Sequence, residues 1–168
     1  MNSISIRSLT KIAIIAAAYV VVTMLIAPMA FGPIQFRLSE ILVLLCFFNP
    51  RYIFALTIGT FIANFLSPFS LGPIDVFAGT FATLLAATLI HYTRVKFGES
   101  LKMMIVSCIW PILINGIVVG WMLNYVLDLP MIPSMLSVAA GEAVVMIIGI
   151  IVFQIIQRNK LIMEQIKG

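Results

Sequence analysis

Phe31-Gly-Pro-Ile-Gln-Phe-Arg-Leu-Ser-Glu40 runs directly into the apolar stretch Ile41-Leu-Val-Leu-Leu-Cys-Phe-Phe48. The Gly32-Pro33 pair is a turn signal, and beyond it Arg37 and Glu40 stand three residues apart. That spacing puts both side chains on one face of a helix, at the mouth of an apolar segment. A charged group in a bilayer costs on the order of 2.5–3.5 kcal/mol at a helix centre and less towards its ends. A local ion pair or an interfacial anchor would account for the two charges taken alone. Other polar residues gather at the same depth, and they favour a polar group committed to a ligand.

Of 168 residues, 62% are hydrophobic and 10% charged, against roughly 25% charged in soluble domains. The composition therefore defines an all-α integral membrane protein. A spanning helix takes about 20 residues, so the length has room for six helices and little else. Lipid-exposed sheet edges are excluded and the alternating pattern of a barrel is missing. The expectation is a single six-helix transmembrane bundle, with residues 1–168 as one domain in the cell membrane. The net charge of +4 is no nucleic-acid footprint, because the basic residues are dispersed in loops; the expected surroundings are the lipid bilayer. Cys46 and Cys108 lie in apolar runs and read as core packing, with no disulfide, metal or cofactor implied.

Helices are predicted over about residues 10–27, 36–48, 52–66, 74–92, 101–127 and 134–157. Residues 1–9 read as an interfacial segment, with Arg7 and Lys11 at the membrane edge. A cleaved signal peptide is the alternative there, but Pro28 spoils the small-residue cleavage pattern. Pro111 is expected to kink the fifth helix. Gly32-Pro33-Ile34-Gln35 recurs as Gly72-Pro73-Ile74-Asp75, each copy opening a helix from the same side; shared turn chemistry suffices to explain it. With the N-terminus inside, nine basic residues fall on the inner segments: Arg7, Lys11, Arg51, Arg94, Lys96, Lys102, Arg158, Lys160 and Lys167. Only Arg37 is left outside. The positive-inside bias then places both termini in the cytoplasm.

In that topology Arg37, Glu40, Asn64, Asp75, Asn124 and Glu142 all fall in the outer part of their helices, and Asn115 lies near mid-membrane. Asp75 alone would pass as a charge suited to a helix N-terminus. The inner half is almost purely apolar. A polar cluster above a greasy floor is a binding pocket open to the outside, and it does not read as a continuous pore.

The chain resembles the QueT family, substrate-binding (S) components of energy-coupling factor (ECF) transporters. The likeness rests on Phe-Gly-Pro-Ile-Gln-Phe-Arg-Leu-Ser-Glu (31–40), Ile-Ala-Asn (62–64) with Ser-Pro (67–68), and Gly-Pro-Ile-Asp-Val-Phe-Ala-Gly-Thr-Phe-Ala-Thr-Leu (72–84). Pro111 with Asn115, and Gly141-Glu142, complete it. The resemblance implies a six-helix S component that captures a queuosine precursor of the 7-deazaguanine type. Its implied partners are a membrane T component and two cytoplasmic ATP-binding subunits, with Ala13 and Ala17 as the small-residue contact to the T subunit. In agreement, the sequence has no Gly-x-x-x-x-Gly-Lys-[Ser/Thr] loop with which to hydrolyse ATP itself.

For such a ligand, Glu142 or Glu40 suits the donor edge of the base, because charge-assisted hydrogen bonds are the strong ones. Asp75 suits an aminomethyl group, and Asn64 and Asn115 complete the polar lining. Phe36 or Trp121 would stack on the ring, while Arg37 steadies the segment carrying Glu40. The alternatives are an S component for another vitamin-sized compound and an autonomous carrier or channel, for which paired inverted repeats are expected. An intramembrane enzyme would need a nucleophile, base or metal constellation. His91, at the basic inner edge, is too far from the outer carboxylates to supply one.

Overall fold

The computed structural model describes residues 6–32 and 35–168. Their regular structure is all helical, with no strand among the described residues. The elements are α1 (Ile6–Leu25), α2 (Ala27–Ala30), a 3₁₀ helix (Leu38–Leu44) continued by α3 (Leu45–Phe48), and α4 (Arg51–Leu66). There follow α5 (Pro73–Phe97), α6 (Leu101–Ser107), α7 (Ile109–Leu127), α8 (Met131–Gln157) and α9 (Lys160–Lys167). Four stretches are long and apolar enough to cross a membrane: Ile6–Leu25, Pro73–Phe97, Leu101–Leu127 and Met131–Gln157. Two shorter apolar stretches, Leu38–Phe48 and Arg51–Leu66, lie between the first and second of these.

Prolines set most of the boundaries. Pro28 has no N–H to bond back to the Met24 carbonyl, and α1 stops at Leu25, with Ile26 at φ −120° and ψ 26°. Pro28 then sits in the first turn of α2, where its missing N–H is no loss. Pro73 likewise opens α5. Pro111 cannot bond back to the Ser107 carbonyl and its ring crowds that group; the helical run breaks there, between α6 and α7.

Several expected limits shift. The first helix begins at Ile6 and not near residue 10, so Arg7 and Lys11 lie on the helix itself. The rest of the expected interfacial segment, residues 1–5, lies outside the described residues. Phe36 and Arg37 are not helical, and the turns from Leu38 are wound as 3₁₀ and not as α. Of the Gly-Pro-Ile echo, the second copy opens α5 at Pro73. The first copy falls partly on residues 33–34, outside the described residues, and the next helical residue is Leu38.

The sequence reading missed α9. This amphipathic helix tucks under the bundle: Tyr52 Oη donates to the Ile166 carbonyl (3.0 Å) and Asn49 Nδ2 to that of Lys167 (3.2 Å). From α1, Lys11 Nζ donates to the Gln165 carbonyl at 2.7 Å. The start of α1 and the end of the chain are therefore neighbours. Glu99 joins the same end by pairing with Arg94 (2.8 Å) and Lys167. Partial burial works against its charge, but hydrogen bonds from Lys167 and Arg94 hold the carboxyl below its ordinary value. Above α9 sits the largest apolar core, with Phe47, Phe48, Met104, Met146 and Phe153 buried and Met163 and Ile166 packed against it.

Helices α7 and α8 approach most closely where glycine permits. A Cβ on Gly120 would stand 2.5 Å from Met135 Cα, and one on Gly116 3.0 Å from Ala139 Cβ. Backbone cannot yield as a side-chain tip can, so Gly120→Val must push the two helices apart. Overpacking of this kind costs typically about 1–3 kcal/mol. Thermal unfolding in detergent should show a lower midpoint for Gly120→Val, with the exposed Ile117→Val unchanged. An unaltered Gly120→Val midpoint would contradict the close crossing.

Candidate functional site

The 3₁₀ helix packs against α1, α4, α5 and α8, and the polar residues of the opening motif meet those of the other helices there. Arg37, Glu40, Asn64, Asp75 and Glu142 are each at most 5% exposed, and Asn115 is 7% exposed. Six of the residues expected to form a polar site are thus buried, and their contacts tie them together.

Glu40 reaches back towards α1 and across to α5. Its Oε1 accepts a hydrogen bond from Tyr19 Oη and one from Thr83 Oγ1 at 3.4 Å. Thr60 on α4 donates in turn to Thr83 at 3.3 Å. Arg37 leaves its extended backbone to donate from Nε to the Ala30 carbonyl (3.1 Å). Its Nη2 pairs with Asp75 Oδ1 at 3.4 Å, and the guanidinium lies over the Phe31 ring, 4.8 Å from the centroid. Asp75 uses its second oxygen to accept from the Leu71 N–H (3.2 Å), while its carbonyl accepts from Asn64 Nδ2 (2.9 Å). Asp75 therefore does more than suit a helix dipole: it fastens Arg37 and the 67–72 connection. Glu142 lies within electrostatic reach of Asn115, Glu40 and Arg37.

Gly79 makes room for this arrangement. A Cβ there would lie 2.4 Å from Asn64 Nδ2 and 3.5 Å from an Arg37 nitrogen. The side chains of Asn64 and Arg37 thus converge on a bare stretch of α5.

Some hydrogen-bonding capacity is left over. Glu40 Oε2, Glu142 Oε1 and Asn64 Oδ1 are buried without a hydrogen-bond partner among the described residues, and all three are acceptors. The Gln35 amide, two residues before Arg37, is also unpartnered at both atoms. Native structures leave few buried polar groups unsatisfied, and each calls for an explanation. Here the shortage is of donors, so the matching ligand is one rich in N–H groups.

Not every expected residue joins the cluster. Phe36 is partly buried against the main core. Trp121 is turned away: it is 45% exposed and stacks on Tyr125 with centroids 5.6 Å apart, so the structure does not bring it to the carboxylates. Asn124 donates to the Leu129 carbonyl at 2.6 Å and serves the 128–130 connection. Ala13 and Ala17 are exposed on the outward side of α1, whereas Ala16 and Tyr19 are buried. The sequence reading missed the hydroxyl partners Tyr19, Thr60 and Thr83, and the Thr23–Ser39 pair at 2.6 Å. Tyr19 and Thr23, one turn apart in the otherwise apolar stretch 12–25, were the available signal.

Fold and site together define a multi-pass α-helical protein of the cell membrane with a buried, acceptor-rich polar cluster. The chain belongs to the QueT transporter family, whose pattern matches residues 9–158. Over 83 residues it is 46% identical to the queuosine precursor transporter QueT of Lactococcus lactis subsp. cremoris (strain MG1363). That stretch covers 48% of this chain and 47% of the relative, about half the length of each. No solved structure matches the chain.

Tyr19→Phe tests how Glu40 is held. The ring still fills its place in the core, but Glu40 Oε1 keeps only the bond from Thr83. A buried acceptor deprived of its donor costs about 1–3 kcal/mol. The thermal midpoint in detergent should fall accordingly, and an unchanged midpoint would mean that Tyr19 does not support Glu40.

Proposed function

We propose that this chain is the membrane-embedded, substrate-binding S component of an ECF-type transporter for a queuosine precursor, and that the buried cluster is its binding site. The observation that carries this reading is the surplus of unpartnered acceptors on Glu40, Glu142 and Asn64. A 7-deazaguanine offers ring N–H and exocyclic amine donors along one edge, which is the complement of that surplus. Membership of the QueT transporter family and the name of the Lactococcus lactis relative favour the same ligand class.

Both oxygens of Asp75 are engaged, by Arg37 and by the Leu71 N–H. The donor edge therefore falls to Glu142 and Glu40, with Asn64 and Asn115 completing the polar lining. Arg37 and Asp75 hold the walls. Phe36 is better placed than Trp121 to meet the flat face of the base, since Trp121 points away from the cluster.

The same reading takes the short stretches Leu38–Phe48 and Arg51–Leu66 as the second and third of six spans. At 2.0 Å per residue in a 3₁₀ helix and 1.5 Å in an α-helix, each rises only about 20–24 Å. Protein covers much of this shortfall, because all of residues 43–48 are buried. Both termini then lie at the α9 end, which carries most of the basic residues and so faces the cytoplasm. ATP hydrolysis belongs to two partner subunits, coupled through a T component. The exposed Ala13 and Ala17 of α1 form the smooth face against which another helix can pack closely.

Calorimetric titration of the purified protein with a 7-deazaguanine ligand tests the site. Glu142→Gln and Glu40→Gln keep the shape but replace an acceptor with a donor, a mismatch of about 1–3 kcal/mol, or about tenfold to a hundredfold in affinity. Wild-type affinity in both variants would sink the assignment.

Coupling is tested separately. Ala13→Leu combined with Ala17→Leu should abolish ATP-driven uptake by the assembled transporter while the solitary variant still binds ligand. Loss of binding as well would place these alanines in internal packing.

A further inference from the structure

A groove of about 400 Å³ opens beside the cluster, between the end of α4, the 67–72 connection and the first turns of α5. Three aromatic rings form its outer wall. Phe61 and Phe65 lie parallel with centroids 6.4 Å apart, and Phe77 meets Phe61 edge-on at 6.5 Å. All three are exposed, Phe65 by 70%. Asn64, Ser67 and Ser70 supply the polar part of an otherwise apolar lining. Asn64 is 1% exposed. Its amide orientation is set by the bond from Nδ2 to the Asp75 carbonyl, which leaves Oδ1 an acceptor with no partner among the described residues; the Ser70 hydroxyl has none there either.

Asn64 belongs to both compartments. On one side it lines the groove; on the other its amide lies against Gly79, on which an Arg37 nitrogen also converges. Arg37 in turn lies within electrostatic reach of Glu40 and Glu142. A single asparagine side chain thus stands between an aromatic-walled groove at the surface and the buried carboxylates. Aromatic walls with a free amide carbonyl suit a planar heteroaromatic base: the rings accept its face, and the carbonyl accepts one of its N–H groups.

We propose that this groove is a reception site for the transported base, from which it passes Asn64 into the buried cluster. The inference rests on the proposed binding function and adds its access route. Asn64 is the shared contact: its carbonyl accepts the donor edge first in the groove and then, with Glu40 and Glu142, in the closed site.

The two native cysteines are buried, whereas Pro73, which also lines the groove, is exposed. Pro73→Cys can therefore be labelled selectively with a bulky maleimide, and Met131→Cys, outside the groove, serves as the labelled control. Association of a 7-aminomethyl-7-deazaguanine probe with the purified full-length protein is followed by stopped-flow fluorescence, each labelled variant against its unlabelled form. Labelling at position 73 should slow association and dissociation alike, each by about tenfold, and leave Kd nearly unchanged, because the obstruction lies on the path. Labelling at position 131 should change neither rate. Unchanged rates with the label at 73 would overturn the proposal and leave the groove a lipid-packing surface, with the buried site intact. A label that raises only the dissociation rate would overturn it as well. Failure of the unlabelled protein to bind the probe at all would bring down the functional reading, and this inference with it.

Discussion

Glu40, Asp75 and Glu142 come from three separate elements, and all three face the guanidinium of Arg37 within a bundle whose surroundings are apolar. Moving an ion out of water costs several kcal/mol even after relaxation, unless partners replace the lost hydration. The structure divides that replacement unevenly. Arg37 commits to Asp75, to the Ala30 carbonyl and to the Phe31 ring. Glu40 is supplied from outside its own element, by Tyr19 and Thr83, and Glu142 has Asn115 near it. After these assignments each glutamate still holds one oxygen without a donor among the described residues. The packing of α1, α4, α5 and α8 around the 3₁₀ helix is what keeps these groups at hydrogen-bonding range.

The 3₁₀ winding has a consequence for where polarity stops. In such a helix residues three apart lie almost above one another. Glu40 and Val43 are so related, and Arg37 precedes the helix on extended backbone. Along this face a carboxylate gives way to a fully buried isopropyl group within three residues. Below Val43 the segment continues as Leu44-Leu-Cys-Phe-Phe48, which enters the main core with Met104, Met146 and Phe153. Water or a polar solute that reached the carboxylates would meet closely packed aromatic and aliphatic side chains beneath. The architecture favours holding a ligand over conducting one, in keeping with the proposed role as an S component.

Much of this was legible before any coordinates. Apolar stretches bounded by proline and glycine placed most of the helices to within a few residues, because those residues act through local sterics. Arg37, Glu40, Asn64, Asp75, Asn115 and Glu142 stood out because polar groups in a membrane segment need a reason. Tyr19, Thr60 and Thr83 did not, since hydroxyl side chains can satisfy themselves on their own helix and carry little sequence signal. Thr57, Thr80 and Thr88 bond to the carbonyl four residues earlier in just this way. Trp121 was grouped with the site by its position in the chain, but whether a ring turns inward depends on helix rotation, which the nearly uniform hydrophobicity of residues 109–127 does not encode. The last helix was missed because its eight residues are too few for a span and its docking contacts are made largely through backbone carbonyls.

Helix α1 joins the site to the membrane-facing surface. Its buried residues, Ser8, Ala16, Tyr19 and Thr23, form a narrow stripe, and only 22% of its apolar window is buried, against 39–50% in the other three long stretches. Such a helix would be loosely held if apolar packing alone kept it in place. Two features compensate. Gly59 on α4 lets the α1 backbone come close, since a Cβ there would stand 3.1 Å from the Ala16 carbonyl oxygen. Tyr19, just beyond, donates its hydroxyl to Glu40. One side of α1 is therefore fixed to the polar cluster by a buried hydrogen bond, while the other presents Ala13 and Ala17 outward. In an S component, a ligand drawing on Glu40 would alter the grip on the helix that faces the T subunit. Site occupancy and partner contact would then meet in one element, two residues apart at Ala17 and Tyr19.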